Sequence, residues 1–138
     1  MHMKKGFVFL CTVIIAILLI SCNNSVPIHK SIIETSDVTK LGEGKKEFIF
    51  TVITAEDEET VFEISTDKET VGDALAEHKL IDGEKGQYGL YVKTVNSVTY
   101  DFNKDGKYWA FYVNGEYATS GVDKTAITEG DTYMFKAE

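Results

Sequence analysis

Residues 108–113 (YWAFYV), followed directly by Asn114-Gly115, constrain this chain more than any other stretch. Six consecutive aromatic, branched or small apolar residues suit a pleated sheet. Asn-Gly is the preferred centre of a two-residue type I′ hairpin, because both of its residues take positive φ. Residues 116–118 then read as the returning strand. Alternate side chains of a strand face opposite ways. Tyr108, Ala110 and Tyr112 therefore share one face, and Trp109, Phe111 and Val113 share the other. The second set is the more apolar and is expected to face the core. Tyr108 and Tyr112, joined by Tyr117 and Tyr91, are expected to form an outward aromatic face.

The remaining pattern agrees with a sheet carrying one helix. Residues 45–54 (KKEFIFTVIT) are rich in β-formers. The acidic residues 55–59 read as a turn. TVFEIST from Thr60 is a second strand, with Phe62 and Ile64 on one face and Val61, Glu63 and Ser65 on the other. The two strands make a natural hairpin. Val71, Ala74, Leu75 and His78 then recur at helical spacing. Thr70 suits an N-cap, with Asp73 three residues on. Gly83 and Gly86 read as the exit from that helix. Residues 87–96 (QYGLYVKTVN) alternate as a strand, with Leu90 and Val92 opposite Tyr91 and Lys93. Residues 97–102 extend it or add a short strand, DFNKDGK reads as a turn, and residues 132–136 form the last strand. The expected class is α+β, one helix packed on a mostly antiparallel sheet.

The first residues carry a different signal. Lys4 and Lys5 precede residues 7–20, fourteen residues of which only Thr12 is polar. This is the n-region and h-region of a signal peptide, and it falls short of the about 20 residues of a spanning helix. Leu19-Ile20-Ser21-Cys22 resembles the bacterial lipobox. The resemblance implies a lipoprotein signal peptide over residues 1–21, cleavage before Cys22, and acylation of its thiol and new amine. Two acyl chains hold a protein stably at a membrane, so the expected location is extracytoplasmic, anchored to a bacterial membrane. The alternative is an uncleaved signal anchor; the small Ser21 and the polar Asn23-Asn24-Ser25 favour cleavage. Residues 22–44 hold the single proline, Pro27, and end in Gly42-Glu43-Gly44. They read as a flexible tether reaching roughly 25 Å by square-root scaling. Residues 45–138 are enough for one small domain.

Composition narrows the function. The chain has 14 basic and 22 acidic residues and no arginine. Removing residues 1–21 takes away Lys4 and Lys5 and no acid, leaving a net charge of −10. A nucleic-acid backbone, a dense row of phosphates, needs clustered positive charge, so no nucleic-acid partner is expected. Cys11 leaves with the signal peptide and Cys22 is the acylation site. The domain then offers no cysteine nucleophile, no thiolate metal site and no disulfide.

Five stretches together resemble a known family: TVGDAL (70–75), IDGEKGQYGLYVKTVN (81–96), YWAFYVNGEYA (108–118), GVD (121–123) and EGDTYMF (129–135). Over residues 45–138 they are similar to the transcobalamin C-terminal-like domain of bacterial surface proteins. The resemblance implies a β-grasp-like fold and the capture of a small ligand such as a corrinoid. In animal cobalamin carriers the similar domain closes over a corrinoid held by a separate helical domain. That helical domain has no counterpart in this sequence, so a complete cobalamin cage is not implied.

Three candidate sites follow. Tyr91, Tyr108, Tyr112 and Tyr117 could stack on and hydrogen-bond a flat or sugar ligand; the bland alternative is that they are cross-strand pairs stabilising the sheet. Asp101, Asn103 and Asp105 match the first half of an EF-hand loop, D-x-N-x-D-G, which points to calcium. The ninth and twelfth positions are Trp109 and Tyr112, however, and an Asp/Asn/Gly turn explains the same residues. His78 near a helix end reads as a packed residue favoured by the helix dipole, with a ligand role as the alternative. No nucleophile, base and acid stand together in the sequence, and no enzyme is expected. The expected function is a lipid-anchored binding module for a small ligand. The alternative is a structural or adhesive surface module contacting protein or glycan, with a weak calcium site.

Overall fold

The computed structural model describes residues 37–138. The expected signal peptide, Cys22 and most of the expected tether lie outside the described residues. Nine strands, two helices and a 3-10 helix follow in the order β1 (Thr39–Leu41), β2 (Lys46–Ile53), β3 (Glu59–Thr66), α1 (Val71–Glu77), β4 (Ile81–Gly86), β5 (Gly89–Val95), β6 (Val98–Thr99), α2 (Phe102–Asp105), β7 (Trp109–Val113), β8 (Glu116–Tyr117), the 3-10 helix (Val122–Lys124) and β9 (Thr132–Ala137). The strands form a six-stranded sheet, ordered β1-β3-β2-β9-β7-β8, and a three-stranded sheet, β4-β5-β6.

The expected first hairpin is β2–β3, paired from Lys46 opposite Thr66 to Ile53 opposite Glu59. The expected mostly antiparallel character holds for three of the five pairings of the large sheet, but that sheet is mixed. β9 lies parallel to β2 and β1 lies parallel to β3, so two of the five pairings of the large sheet are parallel. A strand's composition does not encode its direction; the crossover that returns β9 to the centre does. Three local expectations also change. Thr39–Leu41, read as tether, is a strand of the sheet. Gly83 and Gly86, read as the helix exit, lie in β4, which pairs with β5 through a bulge at Asp82/Gly83. DFNKDGK closes as a helical turn, α2, capped by Asp101.

Alternation decides which side chains enter the core. Phe48, Phe50 and Val52 of β2 are buried together with Phe62 and Ile64 of β3 and with Tyr133 and Phe135 of β9. Full burial of each such side chain contributes about 1.5–3 kcal/mol. Phe50 stacks on Phe62 with ring centroids 5.9 Å apart and meets Phe135 edge-on at 6.2 Å. Helix α1 adds Val71, Ala74 and Leu75. Its start is fixed twice: Thr70 Oγ1 accepts from the Asp73 amide at 3.1 Å, and the Val71 amide donates to the Thr125 carbonyl at 2.9 Å.

Candidate functional site

Strand β7 sorts its aromatics as the alternation predicts. Trp109 is 5% exposed and joins the core, with Phe111 and Val113 packed against that core. The Trp109 indole N–H donates to the Val98 carbonyl at 3.1 Å. On the opposite face β8 sets Tyr117 across from Tyr112, with ring centroids 4.6 Å apart. Tyr108 exchanges two backbone hydrogen bonds with Glu138, at 2.9 and 3.0 Å. That pairing brings the Glu138 carboxylate among three phenols. Tyr117 donates to it at 2.5 Å, Tyr108 lies 3.3 Å away, and Tyr112 donates to the other oxygen. The Tyr108 and Tyr117 hydroxyls also bond each other at 2.7 Å.

These contacts set the local electrostatics. Hydrogen bonds from Tyr112, then Tyr117, hold the Glu138 carboxyl below the ordinary carboxylate range. The same carboxylate pushes the Tyr112 and Tyr117 hydroxyls above the ordinary phenol range. The structure thus brings together three of the four predicted tyrosines, but their hydroxyls are directed at Glu138. Glu138 escaped the sequence reading because its role depends on the register of β9 against β7.

Tyr91 does not join them. It stands on β5 in the other sheet and borders a small recess with Trp109 and Phe111, on the face of β7 opposite Tyr112. The acidic turn is also occupied with its own backbone. Asp101 Oδ1 accepts from the Asn103 amide at 3.0 Å, and the Asp101 amide donates to Asp105 Oδ2 at 2.7 Å. Among the described residues no three His, Cys, Asp or Glu side chains are grouped to hold a metal ion. His78 forms the C-cap of α1, and its buried Nε2 has no hydrogen-bond partner.

A larger recess of about 750 Å³ opens elsewhere. It is lined by the β4–β5 turn with Tyr88, by Tyr91 of β5, and by the segment after β8 with Ser120 and Lys124. Tyr88 is 82% and Tyr91 45% exposed. Asp123 ties the two linings together. Its Oδ1 accepts from the Leu90 amide at 3.0 Å, and a Cβ on Gly89 would stand 2.7 Å from the same oxygen. Gly89 also has φ +119, which only glycine adopts freely. The glycine at the start of β5 and the aspartate of the 3-10 helix are therefore matched. The volume suits a small molecule. Sequence reasoning found Tyr91 but missed Tyr88, Ser120 and Lys124. Their only signal was position, beside the GLYV and GVD stretches.

The family model of a domain of unknown function, DUF4430, matches residues 68–138. The chain belongs to the DUF4430 family. Seventeen solved chains match it. One is a candidate metal binding protein of Ruminococcus gnavus ATCC 29149, 34% identical, with a TM-score of 0.65; the match covers 68% of this chain and 97% of that one. Another is haptocorrin in complex with Cbi, 13% identical, with a TM-score of 0.57, covering 71% of this chain and 26% of haptocorrin. The likeness to haptocorrin is one of fold, and the chain spans about a quarter of that protein. A search of curated proteins finds no match.

Proposed function

We propose that this DUF4430 chain is a lipid-anchored, extracytoplasmic binding module that takes a corrinoid or another flat small ligand in the recess beside Tyr88 and Tyr91. The recess carries the proposal. It joins a volume of about 750 Å³ to two exposed aromatic rings, next to a backbone pinned by Asp123. Exposed tyrosines offer a face for stacking and a hydroxyl for hydrogen bonding. The neighbours lend support, since a corrinoid is a cobalt chelate and so satisfies both metal binding and the Cbi of haptocorrin. A first hairpin, then α1, then a last strand parallel to the first supports the β-grasp reading and the transcobalamin-like one. The lipobox-like Leu19–Cys22 stretch supports the anchor. The module works by contact, with no reaction assigned to it.

Calorimetry on the full chain in detergent, with cobinamide and cobalamin, tests the reading. Binding is expected, with Tyr88→Ala and Tyr91→Ala each weakening it about tenfold and Tyr112→Phe leaving it unchanged. Absence of heat with either corrinoid overturns it. Capture of surface proteins or glycans alone moves the assignment to an adhesive module. A calcium-dependent rise in melting temperature, lost in Asp101→Ala, would add the metal site. Incorporation of labelled palmitate, lost in Cys22→Ser, tests the anchor.

A further inference from the structure

We infer that the recess selects ligands bearing a phosphate or carboxylate, and that Lys124 is the residue that reads this charge. The inference rests on the small-ligand reading above and adds the ligand's sign. An acidic chain of net charge −8 repels anions over most of its surface. This recess is an exception. No aspartate or glutamate lines it, and Lys124 is its one charged lining residue. Among the described residues Lys124 belongs to no ion pair, and the neighbouring Asp123 carboxylate, beneath the lining, is engaged by the Leu90 amide at 3.0 Å. Gln87, Thr119 and Ser120 add neutral hydrogen-bond donors to the same lining.

The lysine is exposed, but its backbone is fixed. The Lys124 amide donates to the Gly121 carbonyl at 3.0 Å, and Thr125 Oγ1 donates to that carbonyl at 2.9 Å. Val122, two residues before, is 2% exposed in the core. A point charge on a flexible stem, rooted in a rigid turn, suits a phosphoryl or carboxylate group held at the edge of a stacked ring.

The test uses the full chain in detergent and two probes that differ by one phosphoryl group, cobinamide and cobinamide phosphate. The phosphorylated probe is expected to bind about fivefold more tightly at low salt, with the preference shrinking as ionic strength rises. Lys124→Gln is expected to abolish the preference and leave the melting temperature unchanged. Lys124→Arg is expected to keep it. Equal binding of both probes, or a preference that survives Lys124→Gln, overturns the inference while the small-ligand reading stands. Binding of neither probe overturns both.

Discussion

Glu138 accepts hydrogen bonds from the phenols of Tyr112 and Tyr117, and this makes the end of β9 sensitive to pH. Its carboxyl is lowered in the folded chain. A lowered carboxyl contributes stability above its unfolded value of about 4.3, and that contribution is lost as pH falls through the folded value. Tyr112 and Tyr117 are raised. Their contribution is present below the unfolded phenol value of about 10 and is lost as pH rises beyond it. An NMR titration is expected to place the Glu138 midpoint below about 4.3. In Glu138→Gln, ultraviolet titration is expected to return both phenols toward about 10; unchanged curves would mean that the bonds do not form in solution. Trp109 is a second sensitive position. Trp109→Phe keeps most of the buried ring but leaves the Val98 carbonyl without its 3.1 Å donor. The expected loss is about 1–3 kcal/mol in denaturant unfolding; a loss near zero would show that water replaces the indole.

Among the elements, β1 bears most directly on how the domain is cut. Thr39–Leu41 covers the edge of β3, and Lys40 Nζ reaches Glu63 at 2.8 Å. A fragment beginning at Lys45 would expose that edge, an open template for pairing with another chain. It is expected to melt lower and to self-associate more than one beginning at Glu34, as scanning calorimetry and light scattering would show; identical behaviour would make β1 dispensable. The β7–β8 turn tests a different link. Asn114 and Gly115 take φ of 51° and 79°, as the Asn-Gly pair predicts for a type I′ turn. A Cβ at Gly115 would meet nothing within 4 Å. The cost of Gly115→Val is therefore conformational, about 1–2 kcal/mol by thermal melt. A neutral result would argue against the turn type.

At the scale of the molecule, β2 and β9 lie side by side near the middle of the large sheet. Strands from opposite ends of the described chain thus share one core. Unfolding of the domain is expected to be a single transition, with calorimetric and van't Hoff enthalpies equal. Phe50→Ala is expected to shift it whole, by about 3–5 kcal/mol; a split transition would mean that the two sheets unfold separately. The first hairpin, the Thr70-capped helix, the type I′ turn and the inward set Trp109, Phe111 and Val113 are legible in the order of residues alone. These depend on spacing and turn chemistry over a few residues, which the order of side chains encodes directly. The sequence also carried the family resemblance, through several short stretches at once. It took the tertiary contacts to settle that β9 runs parallel to β2, that Glu138 gathers three phenols, that Tyr91 stands apart from them, and that Asp123 pins the start of β5 beside Lys124. Each of these joins residues distant in the chain, and strand register and direction follow from how the whole core is buried.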